Sequence, residues 1–585
     1  MTEVTTSAYD DFIIESAEQY LQTVVLIDDR IYESKSGSVA SHVRKPSAVR
    51  RKPALKRATS TVERERGSTE HMEEGELDEV SFHDVQNSFA KKRIICSLYQ
   101  PKKTASFGET SEIYKLCSTA DVVIVDWALY GDSGGKATTL VGNVVERSQT
   151  EIPQQLRLVL IYTLETNLGY VANKIFEDLV ERLGEDKVAA DPQSAGLVLT
   201  TENARVVVLG KRENTPLAQF SDYWVRESDL ATRTIWEFSR LASGLLQAIV
   251  LRGIANLRKN NLRILGRFQK GLDVAFLTHR ALVLPDEAFG QIVPLLTDEL
   301  RAVLEDTLSD SPLGKPPAVK EILDDWCDKH WKSRSDAKLE IGDGVDGLEF
   351  VRDAFCNGPA LKKDYSQFQG SKIPGLVRNG EDGSPEWDEK KCNKHNLAGY
   401  LLGACSIDDS HERLGSLMSL RAKYGNSRRA LHLGVIVREL EGNEDEKRYL
   451  LCLQPVCDSV RIEDKSQAFI FCVLKQPEDG KGFTHCIIDG GDNVIKLKYK
   501  PNIPGVFVSN FPGTDAVYAD KDDKNKPDRF IFKDEKGKGY EWIAELKTEH
   551  AQRAAEQFGR ELSRVGLTES EWLRIKAKSA IGRST

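Results

Sequence analysis

The chain has 585 residues, 40% hydrophobic and 29% charged, with a formal net charge of −9. At about 100–200 residues per domain this allows three or four packed domains. The acidic balance argues against a protein that coats nucleic acid, and no apolar run of about 18 residues marks a membrane span. The opening segment, MTEVTTSAYDDF, lacks the basic and apolar regions of a secretory leader, so a cytoplasmic location is expected. Ten scattered cysteines are expected as free thiols in such a compartment.

In chain order, a short helical pattern from Glu15 to Gln22 leads into Thr23–Ile27, an apolar β-branched run that ends in Asp28-Asp29. Such a run reads as a strand buried on both faces. From about 34 to 80 the texture changes. Seven Lys/Arg and no acid lie between Ser36 and Val62, and an acidic stretch, 63–79, follows. This composition predicts a disordered insertion, either a solvated loop or a docking or autoinhibitory arm; nucleic-acid binding is a third reading, weakened by the absence of aromatics from the basic half and by the acidic counter-stretch.

A helix is expected from Asp84 to Lys92, followed by buried-strand runs at Arg93–Leu98, Asp121–Asp126, Leu156–Thr163 and Arg205–Lys211, with a helix at Val171–Leu183 before the last run. Five apolar strands alternating with helices predict a flavodoxin-like, doubly wound parallel sheet over residues 1–229. Residues 230–311 read as a helical connector. Ile235, Phe238, Leu241, Leu245 and Ile249 fall at spacings of three and four on one apolar stripe, flanked by Arg252, Arg258, Lys259, Arg263, Arg267 and Lys270. The stripe suits intramolecular packing or a homodimer contact.

Residues 312–585 read as an α+β output or interaction domain with an antiparallel sheet. Helices are expected at Val319–Trp331, Gly347–Phe355, Ser410–Tyr424 and Thr548–Val565. Strands are expected at His432–Val437, Tyr449–Gln454, Ala468–Leu474, His485–Ile488, Val494–Tyr499, Val506–Asn510 and Arg529–Lys533.

In an open parallel sheet, ligands sit outside the carboxyl ends of the strands. The residues expected there are Asp28, Asp29, Asp126, Thr163 and Lys211. Clustered carboxylates repel one another unless a cation is present, and Mg²⁺ takes oxygen ligands. A carboxylate beside that cation can attack a phosphoryl group, the lysine can pair with a phosphate oxygen, and the threonine hydroxyl can bond the transferred group.

This order of residues resembles the receiver domain of two-component response regulators over about Thr23–Leu251. The resemblance implies that Asp126 takes a phosphoryl group from a histidine kinase. It implies Mg²⁺ held by Asp28, Asp29, Asp126 and the Ala128 carbonyl, with Thr163 as switch residue and Lys211 as phosphate-pairing lysine. The long first-loop insertion, the long Thr163–Lys211 segment, and Arg212 in place of the usual proline after the lysine mark it as divergent. They make it similar to receivers found beside histidine kinases in bacterial antiviral defence operons, where a second response regulator or an effector is a further partner. The expected function is therefore a phosphoacceptor that switches or buffers signalling, not an enzyme. The alternatives are a pseudo-receiver scaffold that takes no phosphate and an effector enzyme with a C-terminal site.

Three other patterns are weaker. Cys327-x-x-His330 and Cys392-x-x-His395 have zinc-like spacing within each pair but an irregular separation, and read as ordinary thiols. Gly131–Lys136 lacks P-loop spacing and reads as a mobile loop over the site. His485 and Cys486 are strand neighbours that point to opposite faces, a poor catalytic pair.

Overall fold

The computed structural model describes residues 7–31, 82–282, 292–310, 316–331, 355, 377–379, 385–387, 409–562 and 573–577, apart from gaps at 151, 153–154, 212–217, 425–427, 441–447, 463–465, 479, 481, 490–492, 501–504 and 523–528. The chain divides into two compact units, 1–336 with 348–358, and 337–347 with 359–585. The expected insertion at 34–80, most of the expected helix at Gly347–Phe355, and Arg212 lie outside the described residues.

In the first unit, α1 (Ala8–Tyr20) begins seven residues before its expected start because Ser7 caps it, accepting from Asp10 N–H. Its buried face, Tyr9, Phe12, Ile13, Ser16 and Ala17, follows the helical repeat. The strands are β1 (Thr23–Ile27), β2 (Ile95–Tyr99), β3 (Val122–Val125), β4 (Arg157–Thr163), β5 (Ala189–Ala190), β6 (Val198–Thr200), β7 (Ala204–Lys211) and β8 (Trp224–Val225). The helices between them are α2 (Phe82–Lys91), α3 (Glu112–Thr119), α4 (Gly135–Thr150) and α5 (Leu168–Leu183). α6 (Leu230–Leu241) and α7 (Leu245–Arg267) follow.

The sheet order is β2-β1-β3-β4-β7-β6-β5, with β8 paired to β7. The first five strands are parallel and are the five read from the sequence. Alternate side chains of these strands feed two cores: Val25, Ile27, Val123, Val125 and Ile161 face α3, α4 and α5. Val24, Leu26, Ile124, Leu160 and Leu209 face α1, α2 and α6. Covering both faces is what makes the strands read as unbroken apolar runs.

Three differences from expectation have physical causes. β5 and β6 form an antiparallel hairpin on β7, which accounts for the long Thr163–Lys211 segment. β2 was expected to be buried but lies at the sheet edge, with Ile95 71% exposed. The apolar stripe from Ile235 to Ile249 does not run along one helix. It breaks at Ala242–Gly244, so Ile235 and Phe238 pack on the sheet while Leu245 and Ile249 pack with α1.

Two members of the basic flank are structural. Arg252 is buried, donating to Ser16 Oγ (2.7 Å) and to Glu15 (2.7 Å). Arg258 pairs with Asp121 at 3.0 Å. Glu237 of α6 is fully buried between Arg205 (2.8 Å) and Arg233 (2.6 Å). Further helices are α8 (Asp273–Leu282), α9 (Ile292–Asp310) and α10 (Pro316–Trp331). Ile322 of α10 joins Tyr9, Phe12, Ile13 and Ala248 in one apolar cluster.

Among the described residues, the second unit is built on a nine-stranded antiparallel sheet. Its strands are Val435–Glu439, Tyr449–Cys452, Ser466–Lys475, His485–Ile488, Val494–Tyr499, Val506–Pro512, Asp520–Lys521, Phe530–Lys533 and Gly539–Glu545. One face packs an aromatic core around Phe469, Phe471, Phe511 and Tyr540. The other packs Tyr449, Leu451 and Leu497 against the helix Thr548–Leu562 through Ala551 and Ala554. The strand Gly539–Glu545 was not read from the sequence because its glutamates disguise it. In the sheet, Glu541 pairs with Arg529 (3.2 Å) and Glu545 with Arg421 (2.8 Å).

Candidate phosphoacceptor site

Because β1, β3, β4 and β7 run parallel, their carboxyl ends open at one edge, and the polar residue ending each apolar run arrives there. Asp28, Asp126, Thr163 and Lys211 are all buried, and Asp29 is half-buried. Lys211 Nζ lies 2.6 Å from Asp28 Oδ2 and 2.8 Å from Asp126 Oδ1. One ammonium thus bridges two buried carboxylates from strands 183 and 85 residues away in sequence. Asp28 Oδ1 accepts Arg30 N–H at 2.9 Å, with the Arg30 guanidinium 3.8 Å away. Asp126 Oδ2 accepts Ala128 N–H at 3.0 Å.

Burial pushes the Asp126 carboxyl above the usual range; Lys211 opposes this, and the neighbouring Asp28 adds to it. Asp29 turns aside, accepting Tyr130 N–H at 2.6 Å. The Thr163 hydroxyl accepts Glu165 N–H at 3.1 Å, and its backbone pairs with Gly210, next to Lys211. The structure therefore joins Asp28, Asp126 and Lys211 directly, and sets Asp29 on the turn after β1 and Thr163 at the end of β4 beside them.

Several residues at this mouth were not singled out in the sequence. Arg30 directly follows the acidic pair, and Tyr162 directly precedes Thr163; adjacency was the available signal. The Tyr162 ring lies 5.5 Å from Lys211 Nζ, and its hydroxyl donates to Val225 O at 3.0 Å. Gly210 leaves room for Trp224, whose ring would stand 2.3 Å from a Cβ there. Val225 in turn pairs with Lys211 in the sheet.

The loop expected to be mobile is built on specific bonds. Tyr130, Gly131, Ser133 and Gly134 adopt positive φ, and Asp132 accepts from Gly134 N–H (3.2 Å) and Lys136 N–H (2.7 Å) at the start of α4. Gly134 is required: at φ +92 a Cβ would stand 2.0 Å from the Trp127 ring.

The expected metal donors are all oxygens, as a hard divalent cation requires. Burial and Asp28 hold Asp126 above the usual range even with Lys211 in place, so the donor set suits added positive charge. The Ala128 carbonyl accepts Gly131 N–H at 3.0 Å. Among the described residues, no three carboxylate, imidazole or thiol side chains are grouped to hold a metal ion.

Elsewhere, Cys327 is buried, and the His330 ring sits 5.2 Å from Trp326 and 5.8 Å from Tyr9. Cys392 and His395 lie outside the described residues. Cys486 is buried, while burial lowers His485 to about 4. The seven cysteines among the described residues are free thiols. No helix of the described residues is long and apolar enough to cross a membrane.

Residues 20–216 match the family described as the response receiver domain. No curated protein and no solved structure matches the chain.

Proposed function

We propose, from the premise that residues 20–216 are a response-regulator receiver domain, that Asp126 accepts a phosphoryl group from a histidine kinase. The observation that supports this reading is the buried Asp28–Lys211–Asp126 bridge at the carboxyl ends of the parallel strands. An Asp126 carboxylate oxygen attacks the phosphorus of a phosphoimidazole. A P–O bond forms, the P–N bond breaks, and the imidazole leaves with the bonding pair and takes up a proton. Asp28, Asp29, Asp126 and the Ala128 carbonyl would hold Mg²⁺, which when bound neutralises charge on the phosphoryl oxygens.

Lys211 already pairs with both carboxylates and is placed to transfer to a phosphoryl oxygen on Asp126, as a compact point charge does. The Thr163 hydroxyl, freed from Glu165 N–H, donates to another of those oxygens. The added charge redistributes Lys211 away from Asp28, and the response passes to partner proteins in a signalling pathway. By its resemblance in sequence, that pathway is cytoplasmic antiviral defence. The second unit serves as the output or interaction part.

One observation favours the pseudo-receiver scaffold: Lys211 closes directly onto both carboxylates, taking one oxygen of each where a cation would bind. Acetyl phosphate with Mg²⁺ separates the two readings. Intact-mass measurement should show one hydroxylamine-labile phosphoryl adduct on the wild type, absent without Mg²⁺ and absent in Asp126→Asn. A folded wild type that takes up no phosphoryl group from either acetyl phosphate or a phosphorylated kinase overturns the phosphoacceptor reading.

A further inference from the structure

Beyond the receiver chemistry, the helices that follow it leave a surface that the described residues of a single copy do not cover. α7 and α9 run side by side in opposite directions. Gly253 lies against Leu304, and Arg267 pairs with Glu299 at 3.0 Å. With α8 they enclose an open groove of about 980 Å³, lined by Ile264, Leu265, Phe268, Leu272, Leu295 and Leu296 among others. Between residues 262 and 296, ten large apolar side chains among those described expose 38% to 82% of their surface. In the N-terminal half of α7, Ala248, Leu251, Arg252 and Ala255 are buried, while Leu246, Val250 and Ile254 are 38–54% exposed. In the second half Ile264 is buried, and Leu262 and Leu265 are 66–77% exposed. Monomeric proteins rarely expose a contiguous apolar patch of this kind without a partner.

We infer that α7, α8 and α9 are half of a helix bundle that a second copy of this chain completes in a two-fold homodimer. Two observations choose a second copy over an unrelated partner. The first is charge. Lys259, Arg263 and Lys270 on and just after α7 are exposed, and so are Asp298, Glu305 and Asp306 on α9, which carries a single basic residue, Arg301. A surface with a basic edge and an acidic edge is complementary to itself. In an isologous contact each patch meets its counterpart under the same two-fold axis, so basic α7 of one copy meets acidic α9 of the other.

The second observation is area. Full burial of a Val, Leu or Phe side chain removes roughly 60–120 Å² of apolar surface. Ten side chains at the observed exposures therefore offer on the order of 500 Å² per copy. A standard interface buries about 800 Å² per partner, a little over half of it apolar. The patch has the size of one stable two-fold interface. An antiparallel helix pair with one bare apolar face is also the half-unit from which four-helix bundles are built.

The test is the oligomeric state of the full chain. Light scattering coupled to size exclusion, at micromolar concentrations and moderate salt, should give about twice the 65.4 kDa of one chain. Leu265→Asp places a charge on an exposed side chain in the groove and should raise the dimer dissociation constant about a hundredfold or more. The Asp126-dependent phosphoryl uptake should be unchanged. Arg263→Glu should weaken the dimer, and Arg263→Glu combined with Asp298→Lys and Glu305→Lys should restore it in part. A wild type of one-chain mass across that concentration range overturns the inference. So does a Leu265→Asp dimer as tight as wild type, which would put the contact elsewhere on the chain.

Discussion

Replacing Lys211 by methionine tests the reasoning about the site most directly. The substitution keeps the aliphatic stem and removes the ammonium that lies 2.6 Å from Asp28 and 2.8 Å from Asp126. Both carboxylates are nearly inaccessible, at 1% and 5% exposure, so solvent does little to screen them. Removing one partner of a buried ion pair costs about 3–5 kcal/mol. The lower end, about 3 kcal/mol at pH 7.5, applies here because one carboxylate can relieve the repulsion by taking a proton.

For a domain of this size that corresponds to roughly 6–12 °C in Tm. The pH dependence has a definite sign. Asp126 is already above the usual range, through burial first and Asp28 second, so the folded state holds its proton more tightly than an unfolded chain with a carboxyl near about 3.9. The associated stability is complete below that value and is lost as pH rises through the raised folded value. Without Lys211 the folded value rises further. The variant's deficit should therefore be small at pH 4.5 and grow toward pH 7.5. Calorimetry of the full chain across that range reads it. A deficit independent of pH, or a variant as stable as wild type at pH 7.5, would refute the argument.

Two further outcomes follow from the packing. Gly134→Ala forces a Cβ toward the Trp127 ring at a positive φ, and should cost about 2 kcal/mol or more; thermal unfolding together with proteolysis of the 127–136 loop would register it. Arg252→Ala removes the bonds to Ser16 Oγ and Glu15, leaving the Ser16 hydroxyl without its charged partner. A loss of about 1–3 kcal/mol is expected, read as faster hydrogen exchange through α1 with the sheet strands unchanged.

The parallel sheet was legible because each of its central strands is buried on both faces, which forces an unbroken apolar run in the sequence. The site residues were legible for a related reason: a polar residue ending such a run has only the rim to occupy. β2 shows the limit, since its composition resembles the central strands although it lies at the edge. Gly539–Glu545 shows another. Its glutamates look like loop residues until Arg421, Arg438 and Arg529, distant in sequence, arrive to neutralise them. Nor does anything local announce that the Ile235–Ile249 stripe breaks at Gly244 so that its second half packs on α1.

The order of apolar runs thus determined that Asp28, Asp126, Thr163 and Lys211 would meet at one end of a sheet, because crossover connections between parallel strands bring every carboxyl end to the same side. Only the tertiary structure decided which of them touch. Lys211 settles between Asp28 and Asp126, and Asp29 turns to Tyr130 N–H. These choices depend on where each strand stops to within one residue and on the burial around it, and burial is a property of the packed molecule rather than of any segment.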